Sequence, residues 1–207
     1  MGAALELETP HGPARAHLYP AEDPLGALVL GHGAGGGVTA RDLVAVTEVA
    51  NSERFSVALV EQPYRVAGRR SPAPANQLDA AWTSVVEQLT GADLRGLPLV
   101  VGGRSAGARV ACRTAAETGA QAVLCLAFPV HAPGRSGTGK TRQHELDAVK
   151  LPVLVVQGER DPFGMPAGGP NRRVVVVPGN HSLSADLEAV GNAVRGWLSE
   201  LGSDLRQ

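Results

Sequence analysis

The chain reads LPLVVGGRSAGARVACRTAAET over residues 97–118, and this stretch decides the fold. The apolar run Leu97–Val101 predicts a buried strand, and Ala106–Thr118 predicts the helix that follows it. Between them lies the pattern G-x-S-x-G, centred on Ser105. In such a strand–turn–helix connection the serine hydroxyl is exposed at the carboxyl end of the strand, and the glycines let strand and helix pass closely. Ser105 is therefore the first candidate nucleophile.

The rest of the chain repeats this alternation of short apolar runs and longer helical patterns. Continuous apolar runs predict strands buried on both faces, and helices between them make those strands parallel. Only the segments around Pro10–Pro13 alternate weakly, and they predict an antiparallel edge hairpin. We expect one three-layer α/β domain over residues 1–207, with a mostly parallel sheet and no cap domain. The predicted strands are Leu5–Thr9, Ala14–Tyr19, Ala27–Leu30, Val57–Val60, Leu97–Val101, Ala122–Phe128, Val153–Gln157 and Val174–Val177, and the predicted helices are Arg41–Ser52, Gln77–Leu89, Ala106–Thr118, Arg142–Val149 and Ala185–Leu201.

The composition argues against several classes of protein. The 207 residues carry 19 basic and 20 acidic side chains, and a net charge of −1 gives no long-range attraction to nucleic acid or an anionic membrane. No stretch resembles a transmembrane helix or a signal peptide. Cys112 and Cys125 are too few for a disulfide scaffold, and His11, His17 and His144 lack metal-ligand spacing. We expect a cytoplasmic protein with no metal, no other cofactor and neither nucleic-acid nor membrane partners.

A second glycine cluster follows the predicted strand Ala27–Leu30. Residues 31–36 fit G-x-G-x-x-G, and Glu61 comes at the end of the next strand, which together outline a dinucleotide site. The following helix has Thr39 as its expected N-cap, too late for its first amides to meet a pyrophosphate at Gly33. Dinucleotide binding is therefore the weaker interpretation of these glycines.

A third cluster, Gly134–Thr141, matches the phosphate-binding pattern G-x-x-x-x-G-K-[ST] in full, with Lys140 as its lysine. Such a loop leaves its strand directly and opens a helix whose first amides surround the phosphate. Here Pro129 and Pro133 lie between strand and loop, and the predicted helix is short. This context disfavours nucleotide binding. Nucleotide binding stays an alternative function. A second alternative is a catalytically weak protein that uses the same three-layer α/β fold as a binding scaffold.

Two polar residues follow strands at the same sheet edge as Ser105. Asp161 lies in the loop after Val153–Gln157, and His181 lies in the loop after Val174–Val177. A serine hydroxyl needs a base to take its proton, and that base needs an orienting carboxylate. The carboxyl ends of parallel strands meet at one edge. We therefore expect Ser105 as nucleophile, His181 as general base and then acid, and Asp161 as the orienting acid.

The glycine clusters also supply the hydrogen-bond donors that an acyl-transfer site needs. A tetrahedral intermediate is stabilised by two backbone N–H groups, one after the nucleophile and one in the loop after an early strand. Ala106 is the expected first donor and Ala34 the expected second donor. Gly35 is the close alternative to Ala34, and we also expect it to contact the substrate. Arg104 and His131 are the further candidates for substrate contact, Arg104 through a substrate carboxylate.

These motifs resemble those of the α/β-hydrolase superfamily over nearly the whole chain. More closely, they are similar to the small dienelactone-hydrolase-like group that includes the KANL3/Tex30 type. The resemblance implies a serine-hydrolase scaffold with the three-layer α/β-hydrolase fold. Dienelactone hydrolases use a cysteine nucleophile where this chain has Ser105, so their lactone substrate is not implied. The segments that carry the resemblance are Gly31–Gly37, Glu61–Arg70, Gly102–Arg109, Pro129–Gly134 and Gln157–Gly164.

The expected activity is hydrolysis of a small ester, thioester or related acyl bond through an acyl-enzyme. The segment from Phe128 to Pro152 is too short for the helical cap that lidded relatives carry there. The chain also has only three phenylalanines, two tryptophans and two tyrosines with which to wall a deep pocket. We therefore expect a shallow, open site for a small-molecule acyl substrate with a short chain.

Overall fold

The computed structural model describes residues 3–132 and 141–204, in which eight strands form one sheet between helices. Numbered in chain order, the strands are β1 (Ala3–Leu7), β2 (Ala14–Tyr19), β3 (Gly26–Gly31), β4 (Phe55–Glu61), β5 (Leu99–Arg104), β6 (Ala122–Leu126), β7 (Val153–Gly158) and β8 (Arg172–Val177). The helices are α1 (Arg41–Ser52), α2 (Pro63–Val66), α3 (Ala75–Gly91), α4 (Ala106–Thr114), α5 (Gln143–Asp147) and α6 (Leu187–Asp204).

The sheet has the order β1-β2-β4-β3-β5-β6-β7-β8. The strands from β3 to β8 pair in parallel, while β1 and β2 form an antiparallel hairpin and β2 also pairs antiparallel with β4. This confirms the predicted sheet and its edge hairpin. Parallel pairing brings the carboxyl ends of β3, β5, β7 and β8 to one edge, where ligands bind in open α/β sheets.

Helices cover both faces of the sheet, so the architecture has the predicted three layers. On one face α1 and α6 pack over a core that includes Leu28, Leu154 and Trp197. On the other face α3 and α4 pack over a core that includes Val101 and Trp82. The interior strands β3 and β7 are buried along their whole length, as their apolar runs predict. No described helix is both long and apolar enough to cross a membrane.

Several local features differ from the sequence-based expectations, among them the first strand, which is Ala3–Leu7 and not Leu5–Thr9. Helix α4 ends at Thr114 rather than four residues later, and turns lead from its end to Gly119 with φ +69°. The residue before α1 is Ala40, without a side-chain cap, so the predicted capping by Thr39 is wrong. The single-turn helix α2, which starts with Pro63, has too few residues for a periodic signal.

The segment that matches a phosphate loop lies outside the described residues except for Thr141. The next helix, α5, spans only Gln143–Asp147 and has Arg142 as its N-terminal flanking residue. The predicted helix Arg142–Val149 therefore exists in shorter form. A phosphate loop requires a helix that begins within the motif itself, whereas this one begins after it.

Candidate active site

Ser105, Asp161 and His181 lie together at the carboxyl edge of the sheet. The Nε2 atom of His181 lies 2.9 Å from the Ser105 hydroxyl, and its Nδ1 atom lies 2.8 Å from Asp161 Oδ2. In the tautomer with the proton on Nδ1, the imidazole donates to the carboxylate and accepts from the hydroxyl. This chain of hydrogen bonds can pass the serine proton to the histidine.

Ser105 occupies a strained turn. It is the only residue between β5 and α4, with φ 53° and ψ −107°, and its N–H donates to the Leu126 carbonyl at 2.9 Å. A non-glycine residue in this region of φ costs roughly 1–3 kcal/mol, which the surrounding strand and helix must hold in place. The turn directs the hydroxyl out of the sheet edge and toward His181.

The glycines around this turn let three backbone segments cross. A Cβ atom added at Gly103 would lie 2.5 Å from the Gly31 carbonyl oxygen and 2.7 Å from the carbonyl carbon of Gly107. Both distances are shorter than any relaxed contact, and both neighbours are backbone atoms. The end of β3, the end of β5 and the start of α4 therefore depend on glycine for their close packing.

The loops after β7 and β8 are joined by their backbones. The N–H of Glu159 donates to the Val177 carbonyl, and that of Arg160 donates to the Gly179 carbonyl, both at 2.9 Å. These bonds fix the loop that carries Asp161 beside the loop that carries His181. The pairing explains why two residues twenty positions apart lie within hydrogen-bond distance of each other.

Asp161 is held on both of its oxygens. Its side chain is 0% exposed. Its Oδ1 atom accepts a hydrogen bond from the Phe163 N–H at 2.8 Å. Its Oδ2 atom accepts one from Gln157 Nε2 at 2.8 Å and another from His181. Gln157 is itself fully buried at the end of β7. Sequence reasoning missed its role, although a glutamine that ends an otherwise apolar strand is a usable signal.

Arg104 lines the same cavity as Ser105, but its guanidinium already donates hydrogen bonds to other groups of the protein. Its Nε donates to Asp42 Oδ2 at 2.8 Å, and one Nη donates to the His181 carbonyl at 3.0 Å. Burial raises the pKa of Asp42, and the charge of Arg104 offsets this in part. The geometry therefore favours Arg104 as a support for the His181 loop over the predicted contact with a substrate carboxylate.

His131, the other candidate for substrate contact, does not share the cavity with Ser105 in the described part of the chain. A Cβ added at Gly164 would lie 2.6 Å from the imidazole ring of His131, so the ring packs directly on this glycine. The N–H of His131 donates to the Phe163 carbonyl at 2.8 Å. His131 thus braces the loop that follows Asp161.

The expected oxyanion donors lie beside Ser105. Ala34, Gly35 and Ala106 all line its cavity. Among the described residues, the N–H groups of these three residues have no hydrogen-bond acceptor. Unengaged amides that face a cavity are available to an anionic oxygen. The choice between Ala34 and Gly35 as second donor stays open on this geometry.

Two buried side chains hold the glycine loop in this position. His32 contacts the Gly33 carbonyl through Nδ1 at 2.7 Å, and its Nε2 accepts from the Gln62 N–H at 3.1 Å. Burial lowers the pKa of His32, which favours the neutral ring, and only the neutral ring leaves Nε2 free to accept from Gln62 while Nδ1 donates to Gly33. The Tyr64 hydroxyl donates to the Ala34 carbonyl at 2.9 Å, and burial raises the pKa of Tyr64 to about 12, so this donor keeps its proton.

The acidic residue of the dinucleotide interpretation faces the neighbouring strand. Glu61 Oε2 lies 3.0 Å from His17 Nε2 and 3.8 Å from an Arg15 nitrogen, both on β2. Helix α1 begins only at Arg41, well beyond the glycines. The glycine loop therefore lacks the helix N-terminus that a pyrophosphate requires.

We expect Tyr64→Phe to lower kcat for a short ester by about three- to tenfold and leave KM nearly unchanged. The reason is that the loop amides lose one anchor, while the loop itself keeps His32. Steady-state kinetics on both proteins provides the measurement. Tyr19→Phe is the matched control, because this tyrosine lies at the end of β2 and does not line the cavity. Equal effects of the two substitutions would contradict the supporting role of Tyr64.

The cavity that contains Ser105 and His181 has a volume of about 640 Å³. One part of its wall is apolar and is formed by Pro72, Ala73, Ala75, Leu78, Pro129 and Phe163. Another part carries arginines that sequence reasoning did not assign to the site, namely Arg109, Arg113 and Arg142. The volume is in the range of small-molecule sites, so the cavity can hold a compact substrate with a polar end.

Known proteins share this architecture. The model of the family described as an alpha/beta hydrolase domain matches residues 25–184. Est1E from Butyrivibrio proteoclasticus is similar over 97% of this chain and 98% of its own, with 18% identity and a TM-score of 0.77. XC6422 from Xanthomonas campestris, described as a serine hydrolase without a lid, is 19% identical over 95% of this chain and 94% of its own, with a TM-score of 0.72.

Dienelactone hydrolase from Anabaena variabilis is 19% identical over 97% of this chain and 95% of its own, with a TM-score of 0.70. Such likenesses show the fold. No curated protein sequence matches the chain. The family model covers most of the chain and includes Ser105, Asp161 and His181, and the chain therefore belongs to the alpha/beta hydrolase domain family.

Proposed function

We propose that this protein is a serine hydrolase that cleaves a small ester, thioester or related acyl bond. One observation carries the proposal: Ser105, His181 and Asp161 form a continuous hydrogen-bonded chain with contacts of 2.9 and 2.8 Å, beside a cavity of about 640 Å³. The arrangement is that of a nucleophile, its base and the group that orients the base. The proposal is supported further by the N–H groups of Ala34, Gly35 and Ala106, which lie beside Ser105 and have no acceptor among the described residues.

In the proposed reaction, His181 Nε2 takes the proton of Ser105 as Oγ attacks the acyl carbonyl carbon. The oxyanion accepts hydrogen bonds from the N–H groups of Ala106 and of Ala34 or Gly35. The intermediate collapses when His181 gives its proton to the leaving alkoxide or thiolate, which leaves an acyl ester on Ser105. Water, deprotonated by His181, then attacks this ester, and the acid is released with the proton returned to Ser105.

The proposal includes a preference for short acyl chains. The connection between β6 and α5 comprises only residues 127–142, which is too short for the helical cap of lidded relatives. XC6422, which has a similar fold, is described as lacking a lid, and a structure of Est1E holds ferulic acid. A cavity without a helical cap offers less wall to a long chain than a capped one does.

The test is rapid-mixing kinetics with 4-nitrophenyl acetate, butyrate and decanoate, combined with intact-protein mass spectrometry. We expect a burst of 4-nitrophenol near one equivalent, a mass increase equal to one acyl group, and a value of kcat/KM that falls for the decanoate. Replacement of Ser105 by alanine is expected to remove both the burst and the mass increase. The proposal is wrong if none of the esters is turned over and no acyl group is found on the protein.

A further inference from the structure

One side of the cavity carries more positive charge than its carboxylates balance. Arg109 donates two hydrogen bonds to Glu145, at 2.8 and 2.6 Å. Arg113 donates two hydrogen bonds to Asp79, at 2.8 and 2.6 Å, and a longer one to Glu145 at 3.4 Å. Burial alone would raise the pKa of Glu145, but Arg109 and Arg113 hold it below its ordinary value, so Glu145 is ionised at neutral pH. Two arginines and two carboxylates thus pair with each other.

Arg142 lines the same cavity and is left over from these pairs. Its guanidinium donates to the His131 carbonyl at 3.2 Å, and no carboxylate among the described residues lies within ion-pair distance of it. The neighbouring residues 133–140, which lie outside the described part, contain no aspartate or glutamate in their sequence. Arg109, Arg113 and Arg142 therefore bring three positive charges to this side of the cavity against the two carboxylates of Asp79 and Glu145, while Arg104, which also lines the cavity, is paired with Asp42.

The surroundings of Arg142 make this charge costly. Burial lowers the pKa of Arg142, and the positive charges of Arg109 and Arg113 lower it further, while Glu145 opposes them. A guanidinium nevertheless keeps its charge at any working pH. An anion that enters the cavity would stabilise this half-buried cation. It would replace part of the lost hydration and offset the repulsion between Arg142 and the neighbouring arginines.

We propose that Arg142 binds a carboxylate on the substrate, so that the protein acts on small esters or thioesters that carry a carboxylate. The inference rests on the proposed hydrolase function. A planar guanidinium donates two parallel hydrogen bonds to a carboxylate. One carboxylate carries the single negative charge that the cluster of Arg109, Arg113, Arg142, Asp79 and Glu145 lacks. The apolar wall formed by Leu78 and Phe163 suits the hydrocarbon part of such a molecule.

Two matched pairs of esters test this inference. In 4-acetoxybenzoate and its neutral partner 4-acetoxybenzamide the charge lies on the leaving group. In mono-4-nitrophenyl adipate and its methyl ester the charge lies on the acyl group. The readout is the ratio of kcat/KM for the anionic ester to that for the neutral ester. Comparison of this ratio between variants cancels the intrinsic reactivity of the esters.

In at least one pair, Arg142→Gln is expected to lower this ratio by roughly 10- to 100-fold, the typical effect of one charge-assisted hydrogen-bonded pair. Arg142→Lys should retain part of the preference, because it keeps the charge and loses the planar fork. Arg173→Gln makes the same charge change on an exposed side chain that pairs with Glu200 outside the cavity, and should leave the ratio unchanged. A ratio unaffected by Arg142→Gln in both pairs would overturn the inference.

A binding measurement separates this inference from the proposed hydrolase function. Calorimetry with 4-acetoxybenzoate and with adipate on Ser105→Ala protein should give a Kd that Arg142→Gln raises about tenfold or more in at least one case. If the wild type hydrolyses neutral esters but neither the ratio nor the Kd depends on Arg142, the carboxylate site is wrong and the hydrolase stands. If the Kd depends on Arg142 but no ester is hydrolysed, the carboxylate site stands and the hydrolase is wrong.

Discussion

Replacement of Asp161 with asparagine is expected to lower kcat for a short ester by about 10⁴-fold while the protein stays folded. The asparagine retains an oxygen that can accept from Phe163, but its amide group no longer selects the His181 tautomer with the proton on Nδ1. In the other tautomer Nε2 carries the proton, so it cannot accept the proton of Ser105. Steady-state kinetics with 4-nitrophenyl butyrate provides the measurement, and far-ultraviolet circular dichroism reports the fold.

The matched control for this substitution is Glu159→Gln. Glu159 lies on the same loop and carries the same charge, but its side chain is exposed, and Arg160 is its one ion-pair partner in the described part of the chain. We expect its kcat to stay within about twofold of the wild type, since an exposed ion pair contributes little. If Asp161→Asn retained more than a tenth of the wild-type kcat, Asp161 would not be the residue that orients His181.

The second large effect is expected from Gly103→Ala, which should lower the free energy of unfolding by about 3 kcal/mol or more. The new Cβ would meet the backbones of Gly31 and Gly107 at 2.5 and 2.7 Å, and neither can rotate away as a side chain could. For a domain of this size the loss corresponds to a decrease in Tm of roughly 6–12 °C. The shift should also displace Ser105, so activity per folded molecule falls as well.

Urea unfolding of Gly103→Ala and Gly91→Ala measures this effect against a matched control. Gly91 ends α3, and a Cβ added there has no neighbour within 4 Å. Alanine restricts the unfolded chain more than glycine does, so Gly91→Ala is expected to be neutral or to stabilise by up to about 1 kcal/mol. Equal stabilities of the two variants would show that the strands and helix do not cross as closely as described.

The candidate triad could be predicted because each of its signals is local. The strand before Ser105 and the helix after it are visible as apolar patterns, and the glycine spacing marks the turn between them. Parallel strands put their carboxyl ends at one edge, which brings the loops of Asp161 and His181 to Ser105 without further information.

The supporting contacts could not be predicted because they join segments that are distant in sequence. Arg104 pairs with Asp42 across 62 positions, and Tyr64 reaches the Ala34 carbonyl across 30. Nothing near Arg142 in the sequence indicates that it faces the cavity beside Arg109. Such partners depend on how helices pack over the sheet, and a charged residue on a helix is ordinarily solvated. The end of α4 was missed because the turns after Thr114 continue the helical spacing.

A fluorophosphonate probe shows directly whether Ser105 is an activated nucleophile. Intact protein treated with a fluorophosphonate and analysed by mass spectrometry should gain one adduct, located on the peptide that contains Ser105. Ser105→Ala should gain none, whereas Ser52→Ala, which removes an exposed hydroxyl at the end of α1, should be labelled like the wild type. An unlabelled wild-type protein, or an adduct that persists in Ser105→Ala, would contradict the account.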